Sequence, residues 1–411
     1  MPLTSFYTAL TGLNNNSLAI NIIGDNLANM NTIGYKSGKA SFAELLAGLS
    51  GTSSNGNPVV FGLGSTLNGV THATTQGTVS YTGKSTDAAI NGNGFFVVST
   101  DGGLGFTRSG KFEFNKDGGL VSGDGYQLMG YMAVNGQIDS NGTAVPIEIK
   151  KGQVMPAKAT TTLDITGNLD SSSTAASTSI QAYDSLGATH NITVNFTGAG
   201  PNWHWSATIP AVDTGGAITD PAVEVGNGDM VFNSSGNLIS PTANPTLSIT
   251  GLASGAADMT IAFGLLDSNG KSTVTNFSSS SSTFTPSQNG SYASNLKEIS
   301  IDSSGVIMGV SESGNTIALA QLALADFPNI EGLQKYKGST FVSFPSSGDP
   351  SIGAAGAGGR GTVVGASLEQ SNVDMAQEFV NLIAAQRAYQ ANSKIITATD
   401  ELYQDSLNMK R

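Results

Sequence analysis

The segment Gly24–Lys36 reads GDNLANMNTIGYK, with Asn26, Asn29 and Asn31 crowded together before a Gly-Tyr-Lys. Asparagine is a poor helix-interior residue, because its amide competes for nearby backbone groups. Such a cluster ends a helix, and the residues before it supply one. Leu3, Phe6, Leu10, Leu13, Ser17, Ile20, Gly24 and Leu27 alternate spacings of three and four, and six of the eight are apolar. That is a heptad seam on a helix.

The far end of the chain mirrors the start. Ser371-Asn372 are helix-starting residues, with Asp374 in the first turn. The chain then runs to Arg411 with no Gly or Pro. A helix of roughly 35 residues is about 50 Å long. Ala384, Ala388, Ala391, Ile395, Ala398 and Leu402 make one stripe on it. Met375, Phe379, Leu382, Tyr389, Ile396, Tyr403 and Leu407 make a second, bulkier one. The two terminal helices are expected to pack on each other. Two stripes exceed what one partner buries, so contacts with other chains are expected too.

The totals limit the rest. With 411 residues the chain exceeds one ordinary core. Charged residues are 12%, glycines number 52, and there are no cysteines. This composition suits β structure with many tight turns, and it excludes disulfides and thiolate metal sites. A net charge of −12 speaks against nucleic acid and anionic membranes, which need a basic face. The opening MPLTSFYTALTGLNNN has no basic region followed by an apolar run, so no cleavable signal peptide is expected. No apolar run approaches the ~20 residues of a membrane helix, so membrane insertion is not expected.

Between the ends the pattern is β. AINGNGFFVVST is a turn followed by an apolar strand, and GFTRSGKFEFNKDGGLVS turns back at Asp117-Gly118-Gly119. From Thr160 to about Gln288 the texture becomes rich in Ser, Thr, Gly and Asn, with short strands such as HNITVNF and NWHWSATI. A polar run, Ser278–Thr285, leads out, and IALAQLALADF resumes a buried-looking segment. The middle block therefore reads as a second β domain inserted in the first. GAAGAGGRG, Gly353–Gly361, reads as a flexible joint. The fold class is multidomain α+β. Residues 1–70 and 359–411 are expected to form a coiled-coil-like helical domain with its connecting segment. Residues 71–150 and 289–358 are expected to form a β-rich domain. Residues 151–288 are expected to form a second β-rich domain inserted in it.

Chemistry is sparse. His72, His190 and His204 lie in different segments without carboxylates at ligand spacing, so no metal site is expected, and they read as turn or surface residues. Trp203 and Trp205 flank His204; they anchor a small β core or, less favoured, line a sugar-binding face. The glycine-rich NGNGFF and GAGGRG lack the context of a phosphate cradle. Asp164 and Asp170 have no reason to act as an acid–base pair. No enzyme and no cofactor are expected.

Five stretches, in order, resemble one family. NNNSLAINIIGDNLANMNTIGYKSGKASF is similar to the N-terminal region shared by bacterial flagellar rod and hook proteins. LEQSNVDMAQEFVNLIAAQRAYQANSKIITATDELYQDSLNMK is similar to their C-terminal helix. DAAINGNGFFVV, GFTRSGKFEFNKDGGLVSGDGYQLMGY and LALADFPNIEGLQKYKGSTF resemble their shared β domain. The resemblance covers roughly residues 1–150 and 290–411. The inserted block singles out the hook branch over the short rod type, with a distal rod or other axial subunit as the alternative. A secreted glycan-binding adhesin is the alternative from another class.

The resemblance implies a structural subunit that polymerises into the curved hook, the universal joint between motor-driven rod and filament. It implies an extracellular location reached through the flagellar type III export apparatus. The implied partners are further copies of itself, a hook cap protein, hook–filament junction proteins and the distal rod protein. In such a tube the subunit-packing residues are expected to be Leu3, Phe6, Leu10, Leu13, Ile20, Asn26, Leu27 and Asn29 at the start. In the last helix they are Phe379, Ile383, Ala384, Gln386, Ala388, Tyr389, Ala391, Asn392, Ile395, Ala398 and Leu402. The asparagines either satisfy helix-end carbonyls or a neighbour's backbone and so set register, or simply cap their own helix. Gly34 permits a turn, and Tyr35 and Lys36 anchor the next segment of chain. Gln386 and Asn392 are register-setting candidates, and Arg387 faces the channel or solvent.

Overall fold

The computed structural model describes residues 2–45, 49–52, 58–60, 62–134, 136–150, 152–279 and 284–409, without the side chains of 2–4, 49–52, 58–60 and 406. The expected packing of Leu3 and part of the polar run 278–285 therefore lie outside the described residues. The described chain is multidomain α+β, with two long helices and mostly antiparallel sheets. Contacts divide it into two compact units. Unit 1 takes residues 1–151, 298–309 and 318–411; unit 2 takes 152–297 and 310–317.

In unit 1, α1 (Pro2–Ala28) and α2 (Met375–Asn408) lie against each other. Helices this long need tertiary partners more than propensity. The helices come close at Gly12, where a Cβ would sit 2.7 Å from Asn392 Nδ2. The heptad seam Phe6, Leu10, Leu13, Ile20 and Leu27 is only half-buried. Among the described α1 side chains, Ala9, Asn15 and Asn26 are buried.

The β body of unit 1 is an antiparallel sheet. Its order is the Ala320–Leu322 end of one strand, then Gln127–Val134, Phe95–Thr100, Gly103–Thr107, Thr340–Val342 and Gln334–Lys337. Phe95, Phe96, Val97 and Val98 are all buried, so this strand has apolar neighbours on both faces. That is why FFVV reads as a continuous run rather than an alternation. Phe95 and Phe106 both meet the edge of Phe327, at 6.1 and 4.7 Å between ring centroids. Phe112–Phe114 turns back onto Leu120–Ser122, and Asn115 Oδ1 accepts from the amides of Asp117 and Gly119. The hairpin expected at Asp117-Gly118-Gly119 is there.

The glycine-rich stretch 353–361 is not a loose joint. Arg360 Nε donates to Ala354 O at 3.0 Å, and the Gly361 amide donates to Asn93 O at 2.7 Å. Two strands, Thr362–Gly365 and Ser367–Glu369, separate it from α2. The glycines serve backbone turns at positive φ, as at Gly356, Gly358 and Gly359.

Unit 2 is built on two sheets. One is an antiparallel meander of Ala175–Tyr183, Thr189–Ala199, Asn202–Ile209, Val223–Phe232 and Leu238–Ser240. The other has Thr162–Asn168 at its centre, antiparallel to Thr285–Gln288 and parallel to Met259–Gly264. One core serves both sheets. Trp205 meets Phe263 at 4.8 Å, and Phe196 stacks on Phe284 at 5.2 Å. Trp203 and Trp205 are 2% and 1% exposed, so both indoles are core and neither presents a face to a sugar. Trp205→Ala is expected to destabilise unit 2 by about 3–5 kcal/mol, read as an earlier denaturant transition. A loss below about 1 kcal/mol would mean that Trp205 does not organise this core.

His190 corrects the surface reading of the histidines. It is buried, with Nε2 3.2 Å from Asp184 Oδ2 and Nδ1 3.2 Å from Asp213 Oδ2. Ser254 Oγ donates to the same Asp184 oxygen at 2.7 Å. Burial pushes the Asp184 carboxyl up, but bonds from Ser254, His190 and the amides of Ala188 and Leu186 outweigh it and hold it below the usual range. The cluster ties three loops together. Among the described residues, no group of three or more His, Asp or Glu is arranged to hold a metal.

Candidate functional site

The stretch that ends α1 is the root of the helix pair. Asn26 is 1% exposed. Its Nδ2 donates to Gly38 O at 2.8 Å and to Glu378 Oε1 at 3.3 Å. Its Oδ1 accepts from the Gly38 amide at 2.8 Å and from Tyr35 Oη at 3.2 Å. The amide thus pairs with Gly38 as a strand neighbour does, and both donors and both lone pairs are used inside the chain. Its hydrogen-bonding capacity is therefore met by its own chain. Asn29 Nδ2 donates to the helix-end carbonyl of Asp25 at 2.9 Å, so it caps its own helix. Asn31 is exposed.

Behind this turn sits a buried ionic cluster. Glu369 is fully enclosed. Its Oε1 accepts from Lys36 Nζ at 2.6 Å and from the Gly77 amide at 2.8 Å. Its Oε2 lies 3.4 Å from Arg108 Nη1. Lys36 also donates to Thr75 O at 2.8 Å, and Arg108 Nη2 donates to Gly92 O at 2.9 Å. Burial holds both the Lys36 ammonium and the Arg108 guanidinium below their ordinary pKa ranges, and Glu369 opposes that in each case. Burial, then the bond to Asp25, raises the Tyr35 hydroxyl. Gly34 completes the turn: its φ is 68°, its amide donates to Glu369 O at 2.8 Å, and a Cβ would lie 2.5 Å from Ser109 N.

Asn372 does not start α2. Its Oδ1 accepts from the Ser37 amide at 2.8 Å and its Nδ2 donates to Thr75 O at 3.0 Å, lacing the segments before and after the helices together. The N-cap is Asp374, which accepts from the amides of Ala376 and Gln377. A carboxylate there complements the helix dipole as well as the free amides.

Along α2 the face turned to α1 draws on both expected stripes and coincides with neither. It comprises Leu382, Ala385, Ala388, Asn392, Ile396 and the buried Thr399. Asn392 is half-buried against α1 within its own chain. Ala384, Gln386, Ala391 and Ala398 are exposed, as are Phe379 (49%), Ile383 (51%), Tyr389 (37%), Ile395 (45%) and Leu402 (65%). Met375, Val380, Tyr403 and Leu407 are exposed too. One helix therefore carries a long apolar surface that α1 does not cover.

Four family profiles match the chain. They are described as flagella basal body rod protein (residues 6–36), flagellar hook protein FlgE/F/G D1 domain (89–166), flagellar basal body protein FlaE D2 domain (154–291) and flagellar basal body rod FlgEFG protein C-terminal (364–409). The flagellar hook protein FlgE of Treponema pallidum is 31% identical, covering 99% of both chains. Those of Escherichia coli and Salmonella typhimurium are 32% and 33% identical, covering 99% of this chain and all of theirs. The chain belongs to the flagellar hook protein family. That is a family of structural proteins of bacterial motility, not of enzymes. The first and last hook-family profiles lie on α1 with its turn and on α2, and the D2 profile lies within unit 2.

In this hook-family chain the missed residues are Glu369 and Arg108, while Asp374, read in the first turn, is the N-cap itself. Glu369 left a signal: in VVGASLEQSN it is one charge at the end of an apolar strand, and such charges are rarely buried unpaired. Arg108 left none, because its partner lies 261 positions away.

Proposed function

We propose that the chain is the structural subunit of a flagellar hook and that it assembles through its terminal helices. The supporting observation is the uncovered apolar length of α2, from Met375 to Leu407. In water such a surface is a liability; packed against further copies it is an adhesive. The helix pair, with 1–70 and 359–411, forms the coiled-coil-like inner body of the tube. Residues 71–150 and 289–358 form the middle body and 151–288 the inserted outer body, with 289–297 and 310–317 falling in the compact unit of the latter. The outer body is polar and weakly charged, so its contacts exchange at little cost as the joint bends. The subunit works outside the cell after passage through the flagellar export apparatus. It meets the distal rod protein below, junction proteins above and a cap during growth.

Electron microscopy of the full chain, beside a version trimmed to residues 70–360, tests this. Tubes from the full chain and none from the trimmed one are expected. Tubes from the trimmed version would overturn the role given to the helices.

A further inference from the structure

A small cavity lies against the ionic cluster in unit 1, lined by Lys36, His72, Phe95, Arg108, Leu333 and Phe341 among others. The room it offers to the centre of a water molecule is about 20 Å³, where one water requires roughly 10–15 Å³. Two of its lining side chains carry a buried polar atom with no hydrogen-bond partner among the described residues: Arg108 Nε and His72 Nδ1. Arg108 is 4% exposed, and its guanidinium lies 5.2 Å from the Phe95 ring centroid. His72 meets Phe341 edge-on at 5.6 Å. Two unpartnered polar atoms at one apolar cavity are costly unless something satisfies both.

We infer that this cavity is a binding site for one water molecule, which accepts from Arg108 Nε–H and donates to His72 Nδ1. The assignment rests on donor and acceptor roles. Arg108 Nε can only donate. Burial disfavours protonation of the His72 ring. A neutral imidazole with its proton on Nε2 offers the Nδ1 lone pair as the acceptor. A ligand between a donor and an acceptor must both accept and donate, which water does and a halide does not. The Lys36 ammonium offers a further donor at the same wall.

The assignment has a pH consequence. Protonated His72 would turn its acceptor into a donor and add a cation beside Lys36, Arg108 and Lys335, with Glu369, Asp25 and Asp326 as the opposing charges. Its folded pKa lies below the ordinary value of 6.5. The folded state is therefore unpenalised above 6.5 and loses stability as pH falls through the folded pKa.

The test combines a map and a salt series on the full chain. A high-resolution map of the assembled protein should show one solvent peak within hydrogen-bond distance of both atoms, lost in His72→Phe. Nitrogen shifts of labelled His72 in monomer should report protonated Nε2 and a hydrogen-bonded, unprotonated Nδ1. The unfolding midpoint at neutral pH should not shift when chloride is exchanged for glutamate at equal ionic strength. A chloride-dependent midpoint, or an anomalous peak after bromide exchange, would make this an anion site. A map with the cavity dry, or a protonated Nδ1, would overturn the assignment as well.

Discussion

Replacing Glu369 with alanine is expected to destabilise unit 1 by about 3–5 kcal/mol, the usual result of stripping one partner from a buried ion pair. The carboxylate is fully enclosed, and the Lys36 and Arg108 side chains are each 5% exposed. Without it, two cations stay buried against one another and the Gly77 amide loses its acceptor. Unit 2 has its own core, so its transition serves as an internal reference in the same chain. A second variant separates charge from packing: Lys36→Met, Glu369→Leu and Arg108→Met together remove all three charges while keeping volume. Such replacements are often neutral for stability. The expected pattern is a large fall in the unit 1 midpoint for the single variant and a small change for the triple. Hydrogen exchange should localise the damage to the root, residues 33–38 and 367–373. An unchanged midpoint for Glu369→Ala would mean the cluster does not hold the helices' root to the β body.

The two kinds of legibility differ for a physical reason. Helices and apolar strands announce themselves in local periodicity, so α1, α2, the FFVV strand and the Asp117 hairpin were readable. The coarse α+β class followed from them. The root was only half readable. Asn26, Gly34, Tyr35 and Lys36 were marked by their oddness near one helix end, but their partners Gly38, Ser109 and Glu369 are set by the tertiary fold. Asn26 shows the cost of that blindness. The cluster suggested either a helix cap or an amide offered to a neighbour, and neither reading named Gly38, to which both ends of the amide are bonded. Along α2 the apolar positions outnumber what one stripe holds, so sequence named two stripes. Packing took Leu382 and Ile396 from one and Ala388 from the other, and added Ala385 and Asn392, the last facing Gly12 of α1. His190 misled for a similar reason. Its carboxylate partners come from a turn and from the loop after another strand, at spacings with no local signature.

Ala391→Trp is expected to abolish tube formation while leaving the monomer folded. Ala391 is exposed on α2, beside the exposed Ala384 and Ala398 and away from the face that meets α1. A substitution there touches nothing in the monomer, and such surface changes are usually within about 0.5 kcal/mol. In a packed tube the alanines let a neighbouring helix approach closely, since interaxial distance depends on the side chains at the contact. An indole at that point forces the helices apart along a length that has to match in every copy, so the penalty repeats with each subunit added. Ala388→Trp is the control. Ala388 is half-buried toward α1, so the same bulk there should lower the monomer's own midpoint. Circular dichroism and electron microscopy on the two variants separate the cases. Tubes of normal appearance from Ala391→Trp would refute close packing on this stripe and move the assembly surface to the bulkier one around Phe379 and Tyr403.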